Sequence, residues 1–169
     1  MHYKKAKLLL GAIALISFNS VGVSWPYDES TLLNNMNNTY SALESKTGAC
    51  MELSKRELTS IKSDWLYAQD KLKQKIILLV VSRIASERCV EEEKTAYTMA
   101  LMNYTSETED KTNIDKWVVL NKSFYTQETL NLLSDVDPEK IISLSKSAEL
   151  SKPFDPRIAY EFITPESID

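Results

Sequence analysis

The sequence predicts an all-α fold, a single-domain helical bundle of about five to six helices with one disulfide and an extended C-terminal arm. Two observations lead to this prediction. Apolar residues recur at helical spacing through most of residues 29–150, and the Gly- and Asn-containing pairs that form tight hairpin turns are almost absent. We therefore assign residues 25–150 to the bundle domain and residues 151–169, which contain three prolines, to the arm.

Residues 1–24 have the features of a secretory signal peptide. A start with three lysines precedes the apolar run Leu8–Phe18, and the small residues Gly22 and Ser24 occupy positions −3 and −1 before a cut at Trp25. A cut after Gly22 is the alternative. The run is shorter than the span of about 20 residues that a membrane-crossing helix needs, so we expect a periplasmic or secreted protein with no stable membrane span after cleavage. An uncleaved N-terminal anchor is the other interpretation.

The charge of the chain limits its partners. The net charge is −4, and the predicted signal holds three lysines and no acidic residue, so the mature chain would carry −7. An acidic domain repels phosphate backbones and anionic lipid surfaces. We expect no nucleic-acid partner, and the charge is compatible with a basic protein or a neutral ligand.

The two cysteines, Cys50 and Cys89, predict one disulfide in an oxidising compartment. An antiparallel pair of helices, Cys50–Leu66 and Lys71–Cys89, would turn near Gln69, midway between the two cysteines. A chain folded at that point brings the two sulfur atoms together at the open end of the pair.

An apolar stripe argues against a turn at that point. It keeps helical spacing through a segment without Gly or Pro, and its members are Leu58, Ile61, Trp65, Ala68, Leu72, Ile76 and Leu79. One continuous helix over Cys50–Cys89 would be about 60 Å long, whereas the Cα atoms of a disulfide must approach to about 6 Å. Either the helix breaks near Gln69 or the cysteines pair between two chains, and we favour the break.

The other helices are predicted in chain order from their caps and apolar faces. A first helix, Glu29–Lys46, has Ser30 as its N-cap and ends at Gly48. The segment Lys75–Ser86 is apolar nearly all round, which favours a helix in the middle of the bundle over a buried strand. The helix Glu91–Tyr104 begins with three glutamates, which suit the positive end of a helix dipole.

The C-terminal half continues with a polar loop and further helices. The loop is Thr105–Asn113, and Asp137, followed by a proline, begins a helix that runs to Leu150. Between them, Ile114–Ser134 forms one or two helices with the inward residues Trp117, Val118, Leu120, Phe124, Leu130 and Leu133. The apolar side chains of the arm predict that it packs on its own bundle, and engagement of a partner is the alternative.

The residue types that most catalytic and metal chemistry needs are missing after the predicted signal. The one histidine is His2, the two cysteines are far apart in sequence, and Gly48 is the one glycine after residue 24. This composition argues against zinc sites, Cys-x-x-Cys redox chemistry and Gly-rich phosphate loops, so we expect no metal, no cofactor and no enzyme activity. A carboxylate-dependent hydrolase is the least favoured alternative, because no acidic residue lies in apolar sequence that would raise its pKa.

The candidate binding residues are aromatic or acidic. Tyr67 and Tyr125 lie beside the inward stripes rather than on them, which favours exposure, and tyrosine is enriched in protein interfaces. Glu107, Glu109 and Asp110 form an acidic group in the predicted loop. We expect an acidic or aromatic surface of this kind to enter the cleft of a partner protein.

In outline, with a signal peptide, one cysteine pair, helices and no catalytic set, the chain is similar to the periplasmic immunity proteins that neutralise cell-wall-degrading effectors. The resemblance implies an exported, non-catalytic inhibitor that binds a secreted toxin or effector. Two alternatives stand beside it. One is a helical carrier of a hydrophobic ligand such as a lipid, with a cavity lined by Ile76, Leu79, Met99 and Met102, and the other is a periplasmic accessory or chaperone subunit.

Overall fold

The computed structural model describes residues 28–122 and 125–164. The predicted signal peptide, Phe124 and residues 165–169 of the arm lie outside these residues. All regular secondary structure in the described part is helical, which confirms the all-α class. The helices are α1 (Glu29–Leu53), α2 (Asp64–Tyr67), α3 (Lys71–Cys89), α4 (Glu91–Thr108), α5 (Thr112–Leu120), α6 (Gln127–Leu133), α7 (Pro138–Leu144) and α8 (Pro156–Ile163). The described helices outnumber the prediction because Thr and Asp caps and two prolines divide the C-terminal half into short helices.

The first helix, α1, begins at Glu29 as predicted, but its N-cap and its end differ from the prediction. Its N-cap is Asp28, whose carboxylate accepts the Thr31 backbone N–H at 2.8 Å, while Ser30 donates its hydroxyl to the same carboxylate. Gly48 does not end the helix, because its backbone lacks the left-handed conformation through which glycine terminates helices. The helix continues beyond it and carries Cys50 on its buried side.

The predicted helix Cys50–Leu66 is wrong over most of its length. After α1 the chain forms a turn and an extended loop, and only the single turn of α2 is helical. Tertiary contacts determine this path, since Leu58 and Ile61 are buried in the core. In addition, Asp155 donates its backbone N–H to the Ser54 carbonyl at 3.0 Å, which ties the loop to the C-terminal segment.

Arg56 is the central polar contact between this loop and the C-terminal segment. Its Nη1 lies 3.1 Å from Glu149 Oε2, its Nε donates to the Pro153 carbonyl at 3.2 Å, and its Nη2 donates to the Glu149 carbonyl. Thr59 donates its hydroxyl to the other oxygen of the Glu149 carboxylate at 2.6 Å. Because the Arg56 and Glu149 side chains are mostly shielded from water, these bonds hold the two segments together more firmly than a surface ion pair would.

The helix break near Gln69 is confirmed. The third helix, α3, begins after Asp70, whose carboxylate accepts the backbone N–H groups of Leu72 and Lys73 at 3.1 and 2.9 Å. Because α3 is a separate helix, its buried face does not continue the apolar stripe predicted across the break. Leu72 and Leu79, two members of that stripe, are half exposed. The buried residues of α3 are Gln74, Ile77, Leu78, Val81, Ser82 and Ala85.

Helix α3 lies in the middle of the described fold, as the apolar segment Lys75–Ser86 predicts. It contacts α1, α2, α6, α7 and α8. A large cluster of buried apolar side chains surrounds it, and the loop before α2 and the C-terminal segment both contribute to this cluster. Its largest fully buried members include Leu66, Ile77, Leu78, Leu150 and Phe154. We call this cluster the α3 core.

A second hydrophobic cluster, the α1–α4 core, lies between α1 and α4. Its members are Met36, Leu43, Tyr97, Ala100, Leu101 and Tyr104. Helix α4 follows α3 after the single residue Val90, and its C-cap is Glu109, which adopts a left-handed backbone with φ 61°. Since α4 extends to Thr108, the predicted loop Thr105–Asn113 is reduced to residues 109–111.

The predicted disulfide forms within one chain, between Cys50 near the end of α1 and Cys89 at the end of α3. The Cα atoms of the two residues are 6.2 Å apart. Helix α1 contributes to the α1–α4 core and α3 to the α3 core, so the bond joins a helix of one core to a helix of the other. It lies next to Val90, through which the chain itself passes from α3 to α4.

The segment after the loop contains two helices, α5 and α6, and neither has a fully buried residue. Val118, Leu120 and Leu130 are exposed, so their inward assignment is wrong. Trp117 packs against the edge of the α1–α4 core and Leu133 against the edge of the α3 core. Each of these short helices packs against a core along one side only, so the apolar residues on its other sides are exposed to water.

The start of α7 is as predicted, with Asp137 as its N-cap and Pro138 in its first turn. The helix ends at Leu144 instead of Leu150, and turns follow. There Arg88 of α3 donates to the Ser145 carbonyl at 3.0 Å, a bond that takes the place of a helical one.

The C-terminal arm is not extended, because residues Pro156–Ile163 form α8 with Asp155 as the N-cap. Its packing against its own bundle is confirmed for the described residues. Phe154 and Ala159 are buried in the α3 core, and Ser82 of α3 donates its hydroxyl to the Phe154 carbonyl at 2.8 Å. The predicted arm therefore completes the core around α3.

Replacing both cysteines (Cys50→Ala with Cys89→Ala) should lower the free energy of unfolding by about 4 kcal/mol. The cross-link spans 39 residues, and its loss returns loop entropy to the unfolded chain. Urea unfolding of the oxidised wild type and of the double variant measures the difference. A loss below about 1 kcal/mol, or a non-reducing gel in which wild type runs only as a covalent dimer, would contradict the prediction.

Phe154→Ala should lower the free energy of unfolding by about 3–5 kcal/mol, because it empties a fully buried site in the α3 core. Phe162→Ala is the matched control, since it deletes the same ring from a side chain that is 41% exposed on α8. We expect the control to cost less than about 1.5 kcal/mol. Thermal or urea unfolding measures both, and equal losses would show that Phe154 does not anchor the segment.

Candidate functional site

Two open grooves flank the junction of α3 and α4. Groove A has a volume of about 690 Å³, and its lining includes Arg83, Glu87, Glu91, Lys94, Met99 and Tyr125. Groove B has a volume of about 330 Å³, and its lining includes Cys50, Met51, Glu87, Lys94, Trp117 and Leu120. The two grooves share Glu87 and Lys94, so the pair of side chains at the α3–α4 junction forms the wall between them.

Glu87 is the centre of an ion-pair network in this wall. Its Oε2 accepts a hydrogen bond from Lys94 Nζ at 2.6 Å, and its Oε1 lies 3.8 Å from Arg83 Nη2. Arg83 and Glu87 lie one helical turn apart on α3. Lys94 belongs to the first turn of α4, four residues after Val90, the single residue that separates α4 from α3.

Each of the two cations also lies near an aromatic ring. Lys94 Nζ is 5.9 Å from the centre of the Trp117 ring, and Arg83 Cζ is 5.8 Å from the centre of the Tyr125 ring. These distances are within the range of cation–π attraction. The residues before α6 and at the middle of α5 therefore contact the α3–α4 junction through one charged network.

Trp117 connects this network to the α1–α4 core. Its ring meets Tyr97 edge to face at 4.9 Å, and Tyr97 in turn lies 5.3 Å from Tyr40 of α1. Burial raises the pKa of Tyr97 above its ordinary value. Aromatic rings in such arrangements add to the stability of the contact beyond the area they bury. Trp117 attaches α5 to this core together with Ile114.

The outer side of α5 is apolar and faces water. Its consecutive residues Val118, Val119 and Leu120 are all exposed by more than half. Leu120, 65% exposed, and Met51 of α1, 63% exposed, both line groove B. We call these four residues the α5 surface. Grouped exposed apolar side chains of this size are typical of interaction sites.

The structure places one of the predicted binding residues in this region. Tyr125 lines groove A, whereas Tyr67 is half exposed on α2 and donates its hydroxyl to the Ile61 carbonyl. Glu107, Glu109 and Asp110 lie at the end of α4, outside the linings of both grooves; Asp110 caps the turn before α5 by accepting the Thr112 backbone N–H at 2.9 Å.

Sequence reasoning did not find Glu87, Lys94 and the α5 surface as binding candidates. The spacing of Arg83 and Glu87 could have indicated a helical ion pair. The sequence does not indicate the contact between Lys94 and Glu87, because the two residues belong to different helices with Val90 between them.

Carboxyl groups with a shifted pKa are all shifted downward in the described part of the chain. They are Asp28, Asp110, Asp135, Glu149 and Asp155. A backbone N–H is the largest cause for Asp28 and Asp110, and a side-chain donor is the largest cause for the other three. Helix caps and ion pairs thus favour the ionised form, whereas a general acid at neutral pH needs a raised pKa. No group of three metal-ligating His, Cys, Asp or Glu side chains occurs among the described residues.

No protein-family model, curated protein or solved structure matches this chain. None of the described helices is long and apolar enough to cross a membrane.

Glu149 should make the stability of the fold depend on pH. The Thr59 hydroxyl and the Arg56 guanidinium lower the pKa of Glu149 from its ordinary 4.5. The carboxylate therefore stabilises the fold fully above pH 4.5, and this contribution is lost as the pH falls through the lower pKa of the folded state.

Accordingly, Glu149→Gln should be less stable than wild type at neutral pH, and the difference should narrow as the pH falls below 4.5. Urea unfolding at a series of pH values measures this difference. Glu57→Gln, which removes an exposed carboxylate from the same loop, is the control for the loss of one negative charge. If the difference in unfolding free energy between Glu149→Gln and wild type did not vary with pH, the lowered pKa of Glu149 in the folded state would be refuted.

Proposed function

We propose that this is an exported protein that acts by binding another protein and not by catalysis. The observation that carries the proposal is the α5 surface, a set of large apolar side chains held in water beside groove B. Burying such a set against a partner removes apolar area from water and provides the main driving force for association. Trp117 and Tyr125 lie in the linings of the adjoining grooves, and such residues are frequent contributors of binding energy.

The class of partner that we propose is a secreted toxin or effector, which the protein would neutralise in the periplasm or outside the cell. Two features support this class: the outline shared with periplasmic immunity proteins, and the net negative charge, which favours a basic partner. An accessory or chaperone subunit would use the same surface, and the identity of the partner separates the two roles.

The remaining alternatives have less support. Among the residues suggested for a lipid cavity, only Met99 lines either groove, and Leu79, Met99 and Met102 are exposed on the surface. For a carboxylate-dependent hydrolase, the downward pKa shifts of the carboxyl groups point away from general-acid chemistry.

Leu120→Asp should abolish protection while leaving the fold intact, because a charge at the centre of an apolar interface is buried without a partner. We expect a loss of about 2–3 kcal/mol in binding, or roughly 30- to 140-fold in Kd. The matched control is Ile142→Asp, which puts the same charge on an apolar residue of α7 that is 42% exposed and lines neither groove.

The experiment uses cells that lack this gene, grown with sibling cells that secrete the effector encoded beside it. Wild type and Ile142→Asp should restore survival, and Leu120→Asp should not, with all three folded by circular dichroism. The Kd for the purified effector is measured in parallel. Cells that survive without the gene would refute the toxin-inhibitor role. Equal protection by both variants would show that the α5 surface is not the site that binds the effector.

A further inference from the structure

The two grooves and the wall between them contain three groups that attract cations. The Glu87 carboxylate is negative, and the faces of Trp117 and Tyr125 carry the negative side of the ring quadrupole. Two cations of the chain itself, Lys94 and Arg83, now occupy these groups. A carboxylate beside an aromatic face is an arrangement that recognises a basic side chain, whichever molecule supplies it.

We propose that Glu87 and Trp117 form a receiving site for a basic side chain of the protein partner, and that Lys94 fills this site until the partner displaces it. The inference rests on the proposed function, that the protein binds another protein. Its occupant is a lysine or arginine in an apolar stretch of the partner.

The charge of the chain favours this occupant. The net charge is −4, and removal of the predicted signal would make it −7, so the surrounding field attracts basic groups. The apolar residues of groove B also fit a basic side chain, since Leu120 and Met51 can pack against its aliphatic stem.

The neighbouring charges allow the exchange. Arg83 stays on the other oxygen of Glu87 at 3.8 Å, and Arg88 already donates to the Ser145 carbonyl at 3.0 Å. Lys94 is a long side chain near the surface, so it can leave its contact with Glu87 for water at little cost. Because one cation replaces another, the Glu87 carboxylate, which is 45% exposed, keeps a charged partner throughout the exchange.

The test uses n-butylammonium as a probe of the site and the indole N–H signal of Trp117 in a ¹H–¹⁵N spectrum as the readout. The signal is assigned by comparison with Trp117→Phe, and Trp65, which lies against the α3 core, serves as an internal reference. In Lys94→Met, which removes the internal cation and keeps an apolar stem, the probe should bind about tenfold more tightly than in wild type.

Two controls make this result specific. Lys46→Met removes a lysine that pairs with Glu93 at 3.7 Å and lines neither groove, so the affinity for the probe should stay at the wild-type value. Adding Glu87→Gln to Lys94→Met should reverse the gain. The neutral isostere butan-1-ol should not shift the indole signal in Lys94→Met.

The proposal is overturned if Lys94→Met binds the probe no better than wild type, or if butan-1-ol shifts the signal as strongly as the cation. It is also overturned if an effector that binds the wild type binds Glu87→Gln with the same Kd. The probe titration needs no partner protein. It therefore tests whether Glu87 and Trp117 bind a cation even if no effector is found.

Discussion

The described fold depends on the place where α1, α3 and α4 meet. There the Cys50–Cys89 bond joins the end of α1 to the end of α3, and Val90 passes the chain from α3 to α4. One hydrophobic core surrounds α3 and the other lies between α1 and α4. The covalent link between helices of the two cores limits the conformational entropy that the chain gains on unfolding, and this stabilises the fold.

The same junction positions the candidate site. Lys94 of α4 pairs with Glu87 of α3 across Val90, and this pair separates the two grooves. Trp117 then attaches α5 above the pair by packing on Tyr97. Since that attachment uses one side of a short helix, the other side, with Val119 and Leu120, has no intramolecular surface to cover it in the described part of the chain.

The sequence was informative where local chemistry determines the structure. Helical periodicity predicts the all-α class, the Asp137 cap with its following proline predicts the start of α7, and the requirement that two cysteines meet predicts the break near Gln69. Prediction failed where contacts between residues far apart in the sequence determine the path of the chain. The loop after α1 is extended because Arg56 binds the Glu149 region and Leu58 is buried, and neither contact is encoded in the spacing of nearby residues.

The site was harder to predict than the fold because its parts come from four helices, α1, α3, α4 and α5, and from the segment before α6. Arg83 and Glu87 are neighbours on one helix, but Lys94 and Trp117 join them only through the junction and the packing of α5. The network neutralises Glu87 in the absence of a partner, which keeps an acidic group compatible with a partly buried wall. A basic partner that takes over the role of Lys94 preserves this neutralisation, so intramolecular stability and recognition can use the same carboxylate without opposing each other.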